Sequence, residues 1–91
     1  MIMMSEGTVL VGGKRTMSYV LATVMHFQRG ADRVVIKARG RAISKAVDAA
    51  LIVISKFLPD IKISTVNISS EKITVGDRER IISTIEITLE R

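Results

Sequence analysis

Cysteine and tryptophan are absent from this 91-residue chain, which has one histidine and one proline. Without cysteine the chain forms no disulfide and offers no thiolate to a metal. The lone His26 is too little for a structural zinc site, so we expect no metal and no cofactor. No apolar run reaches the ~20 residues needed to span a bilayer, and residues 1–4 are too short for a signal peptide. The sequence therefore predicts a soluble, cytoplasmic protein without a membrane segment.

The basic residues are concentrated in the first half of the chain. Residues 1–45 have eight lysines and arginines and two acids, a net charge of +6, whereas residues 46–91 have a net charge of −1. The isoelectric point is about 10.1. Such an asymmetric basic excess is typical of proteins that bind nucleic acid or an anionic membrane surface.

The apolar pattern predicts a βαβαββ order in a single domain, residues 1–91. Strands are expected at 8–11 and 33–38, and helices at 16–28 and 41–58, the first with Thr16 as N-cap and Gly30 as its stop. Beyond residue 61 the apolar residues alternate, with a change of parity that predicts a bulge near Ser64 and Thr65. Two further strands flank a hairpin connection at 76–79. We expect an α/β two-layer sandwich, in which two helices cover one side of a mixed four-stranded sheet.

The second predicted helix is apolar around most of its circumference, which indicates burial on more than one side. One set of residues is expected to face the sheet: Ile43, Val47, Ala50, Leu51, Ile54 and Leu58. A second set would then have no cover within the domain: Ala46, Ala49, Val53 and Phe57. The sequence therefore predicts a homodimer.

Two basic, glycine-containing turns follow the first two strands, at 12–16 and 39–41. Parallel neighbouring strands would bring both turns to one edge of the sheet, where α/β folds bind ligands. Cations oppose the partial positive charge of a helix N-terminus, so their presence there indicates an anionic ligand. The predicted phosphate-binding residues are Lys14, Arg15, Arg39, Arg41 and Lys45. Hairpin residues Lys72, Arg78 and Arg80 are expected either to extend this surface or, because Glu71, Asp77 and Glu79 dilute their charge, to belong to a solvated arm.

Two other functions fit the sequence poorly. The turn does not match a nucleotide-binding P-loop, because Gly13 occupies the position of the required lysine. No acid–base pair or metal set accompanies the basic turns, so we expect no enzyme. The aromatic residues are only Tyr19, Phe27 and Phe57; with Tyr19 expected to be half-buried in the first helix, base stacking is a poor explanation and phosphate contacts a better one.

The longest basic motif also resembles a known family. Residues 36–48 read Ile-Lys-Ala-Arg-Gly-Arg-Ala-Ile-Ser-Lys-Ala-Val-Asp, which is similar to the signature of Alba, the small basic chromatin protein of archaea. The resemblance runs from about residue 8 to the end. It includes Val-Gly-Gly-Lys-Arg at 11–15, Met-Ser-Tyr-Val-Leu-Ala at 17–22, Phe-Leu-Pro-Asp at 57–60 and Ser-Thr-Ile-Glu-Ile at 83–87.

The resemblance implies a fold shared with the C-terminal domain of translation initiation factor 3. It also implies a homodimer that binds double-stranded DNA and RNA and coats or compacts the chromosome. The lysine matching Lys14 would be acetylated to weaken binding, with a deacetylase as partner, and the residue matching Phe57 would join dimers side by side. Thr16 departs from a proline common in the family, and the 69–80 hairpin is shorter than in well-known members. The alternative is an RNA-dedicated relative acting in RNA processing or stability.

Overall fold

Four strands and two helices make up the structure. The computed structural model describes residues 5–91, so the signal-peptide prediction for residues 1–4 lies outside the described part. The elements are β1 (Glu6–Leu10), α1 (Thr16–Gln28), β2 (Arg33–Arg39), α2 (Ile43–Ile52), β3 (Lys62–Val75) and β4 (Arg78–Glu90). A 3₁₀ turn at Gly40–Ala42 precedes α2, and a π turn at Val53–Phe57 follows it.

The sheet has the order β1-β2-β4-β3. Strand β1 pairs with β2 in parallel, whereas β4 runs antiparallel to both β2 and β3. Alternate residues of β2, namely Val34, Ile36 and Ala38, are buried in one core with residues of α1 and α2. The predicted βαβαββ order and the mixed sheet with helices on one side are confirmed.

Helix α1 spans the predicted residues, although its first cap differs by one position. Thr16 is the first helical residue, and Arg15 precedes it with extended backbone and without a side-chain capping bond. At the other end, Gly30 adopts φ of 104°. The Gly30 N–H donates to the Phe27 carbonyl at 3.1 Å, and the Ala31 N–H donates to the His26 carbonyl at 3.0 Å. These two bonds form a Schellman motif, so the predicted stop at Gly30 is confirmed.

The predicted 41–58 helix consists of three segments. Its end widens into a π turn in which the Leu58 N–H donates to the Val53 carbonyl at 2.7 Å. A single wide turn leaves the apolar spacing almost unchanged, so the sequence pattern did not reveal it.

The predicted inner face of this helix is partly wrong. Three residues expected to lack cover are buried, Ala46, Ala49 and Val53, whereas Val47 and Leu51 are 36% and 52% exposed. The small alanine side chains allow α2 to pack closely on α1 and the sheet. Because this helix is apolar around most of its circumference, the spacing of its apolar residues does not show which face packs inward.

The β3–β4 hairpin is longer and tighter than expected. The pairing register shifts between Ile63 and Thr65, which confirms the predicted bulge. Val75 pairs with Arg78, so the connection is only Gly76-Asp77, and Gly76 alone has a positive φ, as in type II′ turns. Because β2 pairs with β4 no further than Thr84, residues 70–83 project as a two-stranded arm.

Strand β3 lies at the edge of the sheet that the helices leave open, since they pack mainly over β1, β2 and β4. Ile63, Val66 and Ile68 pair with Leu89, Ile87 and Ile85, whose side chains face the helices. Cross-strand partners point to the same face. On that side the uncovered apolar surface comprises Val47, Leu51, Ile63, Val66, Ile68 and Ile81, each at least 36% exposed.

Replacing Gly40 with alanine tests the strained junction between β2 and the 3₁₀ turn. Gly40 has φ of 58°, which disfavours any side chain. We expect Gly40→Ala to lower the free energy of unfolding by about 1–2 kcal/mol, measured by denaturant titration. Gly13→Ala is the matched control, because no atom lies within 4 Å of the added Cβ and φ there is not positive. Equal losses in both variants would contradict the prediction.

Candidate nucleic-acid interface

The carboxyl ends of β1 and β2 bring the two basic turns together. The Val11 N–H donates to the Lys37 carbonyl at 2.8 Å, which extends the β1–β2 pairing to the start of the first turn. The two turns and the first turn of α2 therefore lie at one edge of the sheet. We call this surface the basic edge and define it by Lys14, Arg15, Arg39, Arg41 and Lys45.

Two side chains fix the backbone of the first turn. The Tyr19 hydroxyl accepts hydrogen bonds from the N–H groups of Gly12 and Lys14, both at 2.9 Å. The Lys45 ammonium donates to the carbonyl of Gly12 at 3.2 Å and to that of Lys14 at 2.6 Å. The structure thus connects α1 and α2 to the turn that carries Lys14.

Tyr19 is a residue whose part in the site the sequence did not indicate. It was expected to be half-buried, but it is only 8% exposed. Burial raises the pKa of its hydroxyl, but the bonds from Lys14 and Gly12 and the charges of Lys45 and Lys14 outweigh burial and lower the pKa below its ordinary value. The sequence offered one signal for this role, a tyrosine near the start of the helix that follows Gly12-Gly13. That signal did not show where the hydroxyl would point.

The helices at the basic edge begin without side-chain caps. Neither α1, the 3₁₀ turn nor α2 has an acidic residue in its first turn or a capping hydrogen bond. Free N–H groups and the helix dipole both favour an anion at such ends. As predicted, the exposed cations Lys14, Arg15 and Arg41 lie at helix starts, where acidic residues are usually favoured.

Arg39 differs from the other arginines of the basic edge because it has an ion-pair partner. Its Nη1 lies 3.3 Å from Oε2 of Glu71, and the two side chains are 65% and 53% exposed. An exposed pair of this kind contributes only about 0.2–1 kcal/mol. A phosphate can therefore compete for Arg39 at little cost.

The arm leaves the sheet at the same edge, since Arg39 pairs with Thr84 at its base. At ~3.4 Å per residue, Arg80 and Arg78 lie roughly 14 and 20 Å farther along β4. The structure therefore places these two predicted site residues beyond the basic edge. Lys72 lies 4.0 Å from Glu79 across the arm, which offsets part of its charge.

The open face of the sheet carries cations that are already paired. Arg33 Nε lies 2.6 Å from Glu90 Oε1, and its Nη1 lies 3.7 Å from Glu6 Oε2. Lys37 Nζ lies 3.7 Å from Glu86 Oε1. These cations of the open face therefore differ from Lys14, Arg15 and Arg41 of the basic edge, which form no ion pair within residues 5–91.

Residues 5–91 show neither a metal-binding cluster nor a membrane-spanning helix. No group of three or more histidines, cysteines or acids in this range is arranged to hold a metal ion. No helix in the same range combines the length and the apolar character needed to cross a membrane.

Sequence comparison relates the chain to proteins of known kind. The sequence model of the Alba family matches residues 7–70. The chain is 51% identical over 90 residues to "DNA/RNA-binding protein Alba" of Pyrobaculum calidifontis, covering 97% of this chain and 98% of that protein. It is 50% identical over 86 residues to "DNA/RNA-binding protein Alba 1" of Archaeoglobus fulgidus, covering 94% and 97%.

Solved structures give the same relationship. Alba from Thermoplasma volcanium superposes with a TM-score of 0.89 at 45% identity, covering 93% of this chain and all of that chain. ALBA1 from Trypanosoma brucei has a TM-score of 0.73 at 22% identity, covering 93% of this chain and 68% of that one. The second likeness concerns the fold alone.

Proposed function

Because the chain belongs to the Alba family, we propose that it binds double-stranded DNA and RNA without enzymatic activity and with little regard to sequence. The observation that carries this proposal is the basic edge, where cations surround two glycine-containing turns at uncapped helix starts. The relatives from Pyrobaculum and Archaeoglobus, which are named DNA/RNA-binding proteins, support it. Contacts to phosphate fix a protein on a duplex but do not read its sequence.

The exposed cations of the basic edge suit a phosphate backbone. Lys14, Arg15 and Arg41 form no ion pair within the described chain, residues 5–91. Their charges are therefore available to displace counterions from a duplex, which is the main source of sequence-independent affinity. Arg78 and Arg80 would add phosphate contacts farther along the duplex, because the arm carries them past the edge.

Phosphate contact is a better account than base stacking. Phe27 is 1% exposed and Tyr19 8% exposed, so neither ring offers a surface to a base. Phe57 is exposed, but it lies at the end of the π turn after α2 rather than on the basic edge.

Lys14 is the residue at which we propose regulation by acetylation. Its backbone N–H and carbonyl are both held by hydrogen bonds, whereas its side chain is exposed. Acetylation would remove a positive charge without changing the turn. A deacetylase acting on Lys14 would restore binding.

We propose that the uncovered apolar surface joins two copies of this chain in a homodimer. Two residues of this surface lie on α2, three lie on the edge strand β3, and Ile81 lies on β4 in the arm, all on the side of the sheet that the helices occupy. Exposed apolar patches of this kind mark interaction sites. A twofold arrangement would bury the same residues in both copies and place two basic edges in one particle.

A separate contact would link dimers on nucleic acid. Phe57 is 41% exposed and lies at the end of the π turn after α2. Dimers bound next to one another would bring such rings together at high local concentration. We propose that this contact makes binding cooperative and lets the protein coat or compact the chromosome in the cytoplasm.

The salt dependence of binding tests the phosphate contacts. A dimer touching about 6–10 phosphates should show a slope of log affinity against log salt of roughly −5 to −9 on duplex DNA. Lys14→Gln and Arg41→Gln should each weaken binding similarly on unrelated duplexes and make the slope shallower by about 2, one contact per subunit. Fluorescence anisotropy with duplex DNA and structured RNA measures the affinity and its dependence on salt.

Lys62→Gln is the matched control for the salt experiment. Lys62 is exposed and pairs with Glu90 at the opposite end of the sheet from the basic edge. Its loss should leave the slope almost unchanged. A wild-type slope near zero, or a loss confined to one sequence, would contradict the proposed function. A preference for structured RNA over duplex DNA at every salt concentration of the series would favour the RNA-dedicated alternative.

Substituting Leu51 tests the dimer surface. Leu51→Asp should raise the dimer dissociation constant at least about a hundredfold, because each dimer buries two leucines worth about 1.5–3 kcal/mol each. Sedimentation equilibrium measures this, and circular dichroism reports whether the variant folds. Leu21→Asp on α1 is the control, since Leu21 is 48% and Leu51 52% exposed. Equal dissociation of both variants, or of neither, would refute this surface.

Truncating Phe57 tests the contact between dimers. Phe57→Ala should lower the cooperativity factor on a long duplex about fivefold, the effect of losing roughly 1 kcal/mol of apolar contact. Affinity for a duplex that holds one dimer should change little, because Phe57 lies away from the basic edge. A loss of about 3–5 kcal/mol in stability with unchanged cooperativity would make Phe57 a core residue instead.

A further inference from the structure

The Gly12–Lys14 segment is held from two sides by residues of different helices. The Tyr19 hydroxyl of α1 accepts from the N–H groups of Gly12 and Lys14, and the Lys45 ammonium of α2 donates to the carbonyls of the same two residues. All four distances lie between 2.6 and 3.2 Å. We call these four hydrogen bonds the turn clamp.

A segment with two adjacent glycines has little intrinsic order. Glycine loses more conformational freedom on folding than any other residue. Gly12 and Gly13 have no side chains to pack, and an added Cβ at Gly13 would meet no atom within 4 Å. The hydrogen bonds of the turn clamp therefore supply the order that side-chain packing does not give.

We propose that Tyr19 and Lys45 are positioning residues, which set the geometry of the turn so that Lys14 and Arg15 point to phosphate. This inference rests on the proposed function and adds a division of labour within the basic edge. Lys45 would act through the Gly12 and Lys14 carbonyls, although its residue type alone suggests a direct phosphate contact. Tyr19, which carries no positive charge, becomes a determinant of nucleic-acid affinity.

The physical reason is preorganisation. A mobile turn would lose conformational freedom at the moment of binding, and that loss would subtract from affinity. With the turn clamp intact, the entropy is lost on folding instead. The clamp acts on the backbone of Lys14 and not on its side chain, because it holds the N–H and carbonyl groups and leaves the ammonium free.

Tyr19→Phe is the decisive variant, because it removes the hydroxyl while it keeps the ring and the net charge. In the free protein, hydrogen exchange should accelerate at least about tenfold at the Gly12 and Lys14 amides, as expected when a hydrogen bond of about 1.4 kcal/mol is lost, with α1 unchanged. The dissociation constant for duplex DNA should rise about threefold to tenfold. Lys45→Met should accelerate the same amides, whereas Lys62→Met should not.

A double-mutant cycle separates positioning from independent effects. In a background that lacks both positioned side chains, Lys14→Ala with Arg15→Ala, the Tyr19→Phe change should weaken binding less than about twofold, because the clamp then has no cation to position. In an Arg78→Ala background the full loss should remain.

Three results would overturn the inference: wild-type affinity of Tyr19→Phe, equal losses in both backgrounds, or faster exchange along all of α1, which would make Tyr19 a general structural residue. Absence of salt-dependent binding in the wild-type protein would instead remove the proposed function. The exchange measurement on the free protein would still report on the clamp.

Discussion

The parallel pairing of β1 with β2 is the constraint on which the rest of the structure depends. Because α1 must return the chain to the starting end of the sheet, both strands finish at the same edge. Turns separated by more than 20 residues in sequence thereby become neighbours. Lys45 can reach the Gly12 and Lys14 carbonyls only in this arrangement. An antiparallel pairing would send the two basic turns to opposite ends and divide the cations.

The two helices also leave part of the sheet uncovered. Two helices pack mainly over three of four strands, so β3 exposes apolar residues that pair with core residues of β4. A small domain has a limited core, and an exposed apolar surface of this kind marks an interaction site. The same hairpin continues past Thr84 as an arm. Most of the proposed dimer surface and the proposed phosphate contacts of the arm therefore belong to one long hairpin.

The sequence predicted the element order, the α1 boundaries and the bulge. Each depends on a local signal: the spacing of apolar residues, the glycine that ends α1, and the shift in the alternation of apolar residues along β3. It did not predict the inner face of α2, where close packing favours Ala46 and Ala49 over Leu51. The residues of the basic edge could be predicted, because charged residues in turns can be recognised from the sequence. The role of Tyr19 could not be predicted, since the direction of its hydroxyl depends on contacts between elements that only the folded chain defines.

Charge alone does not identify the binding surface. The chain has 14 lysines and arginines, yet Arg33 and Lys37 face carboxylates across strands. These pairs are partly exposed and contribute little to stability, but they cancel the field over the open face of the sheet. At the basic edge Arg39 faces a carboxylate, but Lys14, Arg15 and Arg41 form no ion pair within residues 5–91, and Lys45 donates to backbone carbonyls. What distinguishes the two surfaces is therefore the partner of each cation. Where that partner is a backbone carbonyl, the positive charge is not neutralised and still favours an anion nearby.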